Sequence, residues 1–199
     1  MGTDEFNRRL NEGFEKSVKY NFNAEGDLYD LVPVNHGNQP NMQAAWLFNY
    51  SGKPWLTQKW TREIMKRYYG ATPYHGWLGD EDEGQMGAWY VMAAIGLFQT
   101  DGGVSSKPFY EIGSPLFTKI TIALDSKYYP GKTFVIEARK ASEKNCYIQS
   151  ATLDGKSLNK PWFYHSELVD GGKLVLEMGP KPSSWGSGVN DAPPSMSPK

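Results

Sequence analysis

The 199-residue sequence contains one cysteine, three histidines and no long apolar run. With Cys146 alone, the chain has no disulfide framework and no cysteine-based metal cluster, so we expect a small buried thiol. No stretch approaches the roughly 20 consecutive apolar residues of a membrane span, and the start, MGTDEFNRRL, has no apolar core that could serve as a secretion signal. We therefore expect no membrane partner.

Clustered positive charge is also missing. The formal net charge is −1, and the basic residues are dispersed along the chain, so no basic face is available to bind a phosphate backbone. We therefore expect no nucleic-acid partner. The sequence has neither a G-x-G-x-x-G nor a P-loop pattern, which disfavours a nucleotide-binding fold.

Aromatic residues, by contrast, are plentiful, with seven Trp and twelve Tyr. Flat aromatic rings fill protein cores and also stack on the C–H faces of sugars. Because 39% of the residues are hydrophobic, the chain can bury a sizeable core, and we expect core packing for most of the rings.

Residues 1–103 contain apolar spacings that are typical of helices. Apolar residues recur at a spacing of four in the two strongest helix predictions, and a polar segment rich in Gly, Asp and Asn separates them. The predicted helices cover 4–20, 41–50, 55–69 and 86–97, and the predicted long loop covers 21–40. Functional loops often have this length and composition.

The period changes after residue 103. Residues 104–186 contain alternating or continuous apolar runs rich in β-branched residues, which predict strands. Residues 187–199 are rich in Pro, Ser and Gly and are predicted to be a disordered tail. Helices followed by strands, without alternation, predict an α+β fold.

The stretch GDEDEGQMGAW, residues 79–89, raises a chemical question because four acidic side chains follow one another from Asp80 to Glu83. Like charges repel, so the run needs a compensating cause. One interpretation is a helix start in which Asp80 is the N-cap and Glu83 completes a capping box, with both charges favoured by the helix dipole. That interpretation gives Asp82 no specific role.

Two other interpretations of the acidic run involve a ligand. An EF-hand loop is rejected because Gly84 comes one position early and Val91 stands where a bidentate Glu is required. The second is a pair of carboxylates at the mouth of a pocket, where Asp80 and Asp82 share or orient a water molecule for general-base attack.

Several segments together resemble a known enzyme family. GDEDEGQMGAWYVMAAIGLF, FYEIGSPLFTKITIAL, NCYIQSATLDGKSLNKPW and GGKLVLEMGPKPSSWG occur in the order found at the C-terminal end of glycoside hydrolase family 92, the calcium-dependent exo-α-mannosidases. Upstream, HGNQPNMQAAWLFNYSGKPWLTQKWTREIM resembles the family's GNEP segment and the helix pair after it. The resemblance covers residues 36–186 and implies the last helices of an (α/α)6 barrel, followed by a β-rich tail.

The resemblance also implies an inverting mechanism. In the family, a glutamic acid protonates the leaving oxygen while an aspartate pair in the acidic motif activates water. Asp80 and Asp82 match that pair, with Asp82 as general base and Asp80 assisting. No EGN-type motif for the glutamic acid precedes residue 36, so we expect the isolated chain to be inactive.

Calcium and substrate sites are implied in the same way. The GNEP segment corresponds to GNQP at 37–40, which makes Asn38 and Gln39 the candidate Ca²⁺ ligands. Gln39 replaces a Glu, and the loss of one negative charge is expected to weaken calcium binding. The candidate residues for binding a mannose-containing glycan are His36, His75 and Trp77. The two histidines could hydrogen-bond a sugar hydroxyl, although isolated loop histidines are more often only solvated.

The resemblance further implies a C-terminal piece of a secreted or periplasmic enzyme, whose signal would lie in a preceding part. An exposed half-barrel would present apolar surface, so we expect self-association.

Two other classes of function remain open. The β-rich half could be a non-catalytic glycan-binding or structural module, whose aromatic platform would comprise Tyr110, Trp162, Phe163 and Tyr164. A protein-interaction scaffold is supported only by the helical pairs.

Overall fold

Helices and a long irregular segment make up the first half of the chain. The computed structural model describes residues 1–195, with the backbone alone described at residues 26 and 27. The α-helices of this half are α1 (Thr3–Ser17), α2 (Leu47–Tyr50), α3 (Pro54–Tyr68) and α4 (Gln85–Ile95). Short 3₁₀ helices lie at Val18–Tyr20, Gly26–Leu31, Gln39–Asn41 and Ala44–Trp46. None of the helices in residues 1–195 is long and apolar enough to cross a membrane.

The spacing of apolar residues explains the two long helices. Phe14 of α1 is fully buried and stacks on Trp60 of α3, with ring centroids 5.0 Å apart. α3 begins with Pro54 in its first turn, where the missing N–H of proline removes no helical hydrogen bond. The helices predicted at 4–20 and 55–69 are confirmed, although the first ends in a 3₁₀ turn.

Residues 41–50 were predicted as one helix, but α-helical geometry begins there at Leu47. The N–H of Trp46 bonds to the carbonyl of Gln43, three residues back, at 2.9 Å. This bond is typical of a 3₁₀ turn. The indole of Trp46 stacks on Phe98 at a centroid distance of 4.9 Å, so tertiary packing accompanies the tighter winding.

A hairpin connects α3 to the acidic run at residues 80–83. It consists of β1 (Tyr69–Thr72) and β2 (His75–Trp77), which pair antiparallel. A Cβ atom at Gly70 would lie 1.9 Å from the carbonyl oxygen of His75. Glycine at this position therefore permits the close approach of the two strands.

The second half is built mainly from strands, as predicted. The elements are β3 (Leu97–Phe98), β4 (Phe109–Ile112), β5 (Lys119–Ala123), β6 (Thr133–Arg139), β7 (Tyr147–Leu153), β8 (Lys156–Ser157), β9 (Trp162–Tyr164), α5 (His165–Val169) and β10 (Gly172–Gly179). A small antiparallel sheet has the order β3-β4-β9, and a larger sheet has the order β5-β6-β10-β7-β8. In the larger sheet β6 and β10 are parallel, whereas the other neighbours are antiparallel.

Alternating burial gives the larger sheet one covered face. Phe134, Ile136 and Ala138 of β6 are fully buried, whereas the residues between them are not. Leu174 of β10 lies opposite Ile136 and is also fully buried. The period of two in the sequence therefore corresponds to one face of the sheet packing on a core.

Buried polar contacts join the helical and strand-rich halves. The N–H of Ile148 in β7 donates to Oε1 of Gln58 in α3 at 2.9 Å, and Gln58 is 1% exposed. Arg62 of α3 donates to the carbonyl of Pro115 at 2.8 Å. The predicted α+β class is confirmed as a mixed fold in which the two halves share an interface.

The described part of the segment predicted to be disordered has defined contacts. The indole N–H of Trp162 donates to the carbonyl of Asp191 at 3.0 Å, and the carboxylate of Asp191 accepts a bond from the N–H of Gly188 at 2.8 Å. Pro193 is buried. The rest of the predicted tail, residues 196–199, lies outside the described residues.

Candidate active site

A polar cleft of about 390 Å³ lies where the loop after α1 meets the acidic segment before α4. Four residues from the sequence-based site prediction meet in it: Asp80, Asp82, Asn38 and Gln39. The complete lining is Asn23, Ala24, Tyr29, Asn35, Gly37, Asn38, Gln39, Gly79, Asp80 and Asp82.

Successive residues of the acidic run have different surroundings. Asp80 and Asp82 line the cleft. The side chain of Glu81, between them, turns back and accepts a hydrogen bond from the N–H of Gly84. Glu83 is exposed and is not part of the cleft lining. The run therefore places two carboxylates, two positions apart, in one cavity.

The capping-box interpretation of the run is wrong. α4 begins at Gln85, its N-cap residue is Gly84, and no side chain caps it. Asp82, Glu83 and Gly84 have φ values of 57°, 58° and 95°, so the chain passes through the left-handed region immediately before the helix. Asp80 therefore lies too far upstream to be the N-cap.

The left-handed backbone at Asp82 and Glu83 is a local strain. For a residue with a Cβ atom, this conformation costs on the order of 1 kcal/mol or more. Such strain persists only where the surrounding structure enforces it, and it is common at functional sites. In this protein it occurs at Asp82, whose side chain lines the cleft.

Asparagine side chains hold the opposite wall of the cleft. The side-chain oxygen of Asn35 accepts a hydrogen bond from the N–H of Ala24 at 3.2 Å. The amide of Asn23 donates to the carboxylate of Glu25 at 2.8 Å. These contacts shape the segment 21–40, which the sequence predicts as a functional loop.

Tyr68 lies beneath both walls of the cleft. Its hydroxyl is buried and has no hydrogen-bond partner within residues 1–195. A Cβ atom on Gly37 would lie 2.6 Å from this hydroxyl oxygen, and one on Gly79 would lie 3.0 Å from it. Burial and, next, the negative charges of Asp82 and Asp80 raise the pKa of Tyr68, so the phenol stays protonated.

His36 lies in the core instead of the cleft. It is fully buried, and its Nε2 is 2.9 Å from the hydroxyl of Tyr69. Its ring also packs edge-on against Trp89 at a centroid distance of 4.3 Å. Burial lowers the pKa of His36 to about 3, so the ring is neutral near pH 7. This placement contradicts the predicted contact between His36 and a sugar hydroxyl.

His75 and Trp77 belong to β2 and do not line the cleft. Both are exposed. Trp77 lines a separate cavity of about 260 Å³ whose other lining residues are Tyr69, Gly70, Gly76, Gly87 and Tyr90. The structure therefore does not bring these two predicted substrate-binding residues together with the aspartate pair.

The aromatic platform considered for the strand-rich half is not an open surface. Trp162 is 8% exposed, and Phe163 is fully buried. Trp162 packs edge-on against Phe109, and Phe163 stacks on Phe134 at a centroid distance of 5.7 Å. Trp162 and Phe163 therefore belong to the core, whereas Tyr110 and Tyr164 are half-buried.

Sequence reasoning missed several residues of the cleft or its floor: Asn23, Tyr29, Asn35 and Tyr68. The asparagines were visible only as part of a polar loop composition. No spacing relates any of the four to the acidic run, because their proximity arises from the folding of the loop 21–40 over α3.

The potential metal ligands of the cleft are oxygen atoms. Within residues 1–195, no group of three or more His, Cys, Asp or Glu side chains is placed to hold a metal ion. However, two carboxylates and several side-chain amides line the same cavity. Ca²⁺ takes carboxylate and amide oxygens as ligands, so the chemistry of Asp80, Asp82, Asn38 and Gln39 fits calcium.

Comparison with known sequences decides the family. Residues 1–180 match the sequence profile of the Glycosyl hydrolase family 92 catalytic domain. The chain belongs to this family. This family 92 chain is also 36% identical, over 171 residues, to a protein of Arthroderma benhamiae that is described as an uncharacterized secreted glycosidase. That match covers 85% of the chain and 21% of the relative.

Solved family 92 structures from Bacteroides thetaiotaomicron are similar to the chain. One, described as an α-mannosidase, has a TM-score of 0.81 and 32% identity, covering 98% of this chain and 24% of its own. The same enzyme in complex with mannoimidazole gives a TM-score of 0.83. Another, described as an inverting mannosidase, has a TM-score of 0.79 and 35% identity, covering 96% of this chain and 26% of its own. The predicted family is confirmed, and the family 92 chain spans about a quarter of the length of these enzymes.

Proposed function

We propose that this chain is the part of an α-mannosidase catalytic domain that carries the general base. The observation that supports this most directly is the placement of Asp80 and Asp82 in one polar cleft while Glu81, between them, is turned away. The descriptions of the solved relatives as an α-mannosidase and an inverting mannosidase support a mannoside as substrate. The proposed reaction is the hydrolysis of a terminal α-linked mannose with inversion.

Asp82 is the proposed general base. Its carboxylate accepts a proton from a water molecule while the water oxygen forms a bond to the anomeric carbon. The bond from that carbon to the leaving oxygen breaks, and its electron pair remains on the oxygen. Asp80 accepts a hydrogen bond from the same water and orients it for attack.

A second carboxyl group must protonate the leaving oxygen from the other side of the glycosidic bond. In inverting glycosidases the two carboxyl groups are about 6.5–9.5 Å apart, which leaves room for the water. We assign this role to the glutamic acid that the family resemblance places outside residues 1–199. The helices described above would then be the last helices of an (α/α)6 barrel, and the isolated chain would not turn over substrate.

Asn38 and Gln39 are the proposed residues that hold calcium. Held there, Ca²⁺ would supply positive charge that favours the binding of sugar hydroxyl groups in a distorted ring. Gln39 offers a neutral amide oxygen where the family usually has a carboxylate. Because one negative charge is lost, we expect weaker calcium affinity than in a relative with Glu at this position.

The proposed substrate is a mannose-containing glycan outside the cytoplasm. The description of the Arthroderma benhamiae relative as secreted supports a secreted or periplasmic location for the protein that contains this chain.

The test of the proposed function is Asp82→Asn in the intact enzyme that contains this chain. The amide cannot accept a proton from water, so kcat should fall by about 10²-fold or more, with little change in KM. Mannose release from an α-mannoside is measured for the parent and for the variant. For the parent, proton NMR during the first turnovers should show the β-anomer of mannose as the initial product.

Glu83→Gln is the matched control because it removes one charge from the same acidic run at an exposed position outside the cleft. Its kcat should remain near that of the parent. Full hydrolysis by Asp82→Asn, or an α-anomer as the first product, would contradict the proposal. Mannose release by the purified 199-residue chain would show that the catalytic acid lies within it.

A further inference from the structure

Tyr29 stands out among the residues that line the cleft. It is the aromatic residue of a lining that otherwise consists of Ala, Gly, Asn, Gln and Asp. Tyr29 is 63% exposed, whereas thirteen of the seventeen aromatic residues in residues 1–103 are buried or half-buried. An apolar ring is therefore presented to solvent at the edge of a polar cavity.

The backbone that carries Tyr29 is anchored on the core. Tyr29 belongs to the 3₁₀ helix Gly26–Leu31. The N–H of Val32 bonds to the carbonyls of Leu28 and Tyr29 at 3.2 and 3.3 Å, and the Val32 side chain is 2% exposed. The segment that carries the ring is therefore tied to the core at its C-terminal end, through Val32.

The neighbouring groups indicate the class of ligand. Asn23 and Asn35 are nearly buried in the same wall and present amide groups that suit hydroxyl partners. The exposed ring of Tyr29 suits an apolar face, because covering it removes apolar surface from water. A pyranose ring combines hydroxyl groups at its edge with a C–H face, so it satisfies both kinds of surface together.

We propose that Tyr29 stacks on the C–H face of a sugar ring in the cleft and is a substrate-binding residue of this protein. The inference rests on the proposed function in one respect, namely that the sugar is an α-linked mannoside. It adds a ring-binding contact to a site whose other polar residues act on hydroxyl groups and water.

Binding by the 199-residue chain tests the proposal without requiring turnover. The nitrogen-15-labelled chain is titrated with methyl α-mannoside, and the dissociation constant is taken from shifts of the backbone amides of residues 23–39. In Tyr29→Ala the constant should rise about three- to tenfold, the range expected for the loss of one aromatic contact. Tyr29→Phe keeps the ring and should bind like the parent.

Two controls separate stacking from other effects. Tyr128→Ala removes a ring of similar exposure, 67%, that does not line the cleft, and should leave the constant unchanged. Mannitol has hydroxyl groups but no pyranose face, so its binding should be equally weak in the parent and in Tyr29→Ala.

Each outcome decides the proposal. Equal methyl α-mannoside binding by the parent and Tyr29→Ala overturns the stacking role while leaving the proposed function intact. A loss in Tyr29→Phe as large as that in Tyr29→Ala also overturns it, since the hydroxyl would then be the contact. If the chain binds no mannoside at millimolar concentration, the stacking role in this cleft is overturned, whereas the proposed function is judged separately by Asp82→Asn in the intact enzyme.

Discussion

At the scale of single residues, Glu111 of β4 is a fully buried carboxyl group where the two halves meet. Thr100 and Tyr50 donate to one of its oxygens at 2.6 and 3.3 Å, and Asn49 donates to the other at 3.2 Å. Burial nevertheless outweighs these bonds and raises the pKa of Glu111 to about 7. The folded protein therefore favours the protonated side chain.

Glu111→Gln should make the protein more stable at alkaline pH. A raised folded-state pKa means that the contribution of Glu111 is fully present below pH 4.5 and is lost as the pH rises through 7. The variant minus parent difference in unfolding free energy should therefore increase with pH, by about 3 kcal/mol between pH 4.5 and 8. Urea unfolding at several pH values measures this difference.

Glu15→Gln, at an exposed site on α1, is the matched control, because it makes the same substitution at a carboxyl group that is not buried. Because each variant is compared with the parent at the same pH, the titration of His36 cancels. A flat profile for Glu111→Gln would contradict the burial argument.

At this scale the sequence predicted side chains that act through a local motif and failed for those placed by tertiary packing. Asp80, Asp82, Asn38 and Gln39 were predicted as a set and meet in one cleft. His36 was misjudged because its burial depends on Tyr69, 33 residues later in the chain. The role of each cleft residue stays a prediction.

At the scale of elements, the two walls of the cleft both pack on the buried ring of Tyr68. Gly37 belongs to the wall formed by the loop 21–40, and Gly79 belongs to the wall formed by the acidic run. A Cβ atom on either glycine would lie 2.6 or 3.0 Å from the hydroxyl oxygen of Tyr68. Tyr68 is 1% exposed, so its ring has no free space into which it can withdraw. The separation of the walls therefore depends on the absence of side chains at the two glycines.

Gly37→Ala should destabilise the protein by about 1–3 kcal/mol, because the new methyl group would lie 2.6 Å from the Tyr68 oxygen. Gly76→Ala is the control, since a Cβ there meets no atom within 4 Å. Thermal and urea unfolding measure both variants.

Tyr68→Phe removes the clashing oxygen and should rescue Gly37→Ala. The double variant should therefore lose less stability than Gly37→Ala alone. If the rescue does not occur, the cost of the alanine comes from the backbone of the loop and not from the ring.

Elements with long, regular patterns were predictable, whereas short ones were not. α1 and α3 follow directly from apolar residues four positions apart. The hairpin β1–β2 has no such pattern, because its three- and four-residue strands are largely exposed and depend on a close backbone approach at Gly70. α4 begins at Gln85, close to the predicted start at residue 86 and not next to Asp80 as the capping-box interpretation required, because left-handed residues precede the helix.

At the scale of the whole molecule, the helical and strand-rich halves are joined by hydrogen bonds that cross their boundary. Gln58 of α3 accepts from the backbone of β7, and Arg62 donates to the carbonyl of Pro115. The sequence predicted the order of helices and strands, because apolar residues are spaced by four in the helices and alternate in the strands. It could not predict the interface, whose polar partners are 90 and 53 residues apart.

Gln58→Ala should weaken both halves together. The substitution leaves the buried N–H of Ile148 without a partner, at a cost of about 1–3 kcal/mol. Hydrogen exchange followed by mass spectrometry should show protection falling equally in α3 and β6, with a single unfolding transition.

Gln149→Ala is the control, because that side chain is exposed and bonds only to nearby strand and tail carbonyls. It should cost at most a few tenths of a kcal/mol. Loss of protection confined to the strand-rich half in Gln58→Ala would show that the halves unfold independently. Self-association through a half-barrel surface stays a prediction.

The position of β10 has a consequence for synthesis of the chain. This strand is the last of the larger sheet in sequence, yet it lies between β6 and β7. Until residues 172–179 have been synthesised, β6 and β7 each keep an unpaired edge, which is a template for aggregation. A premature stop shortly before residue 172 should therefore yield an insoluble product, even though most of the fold has already been translated.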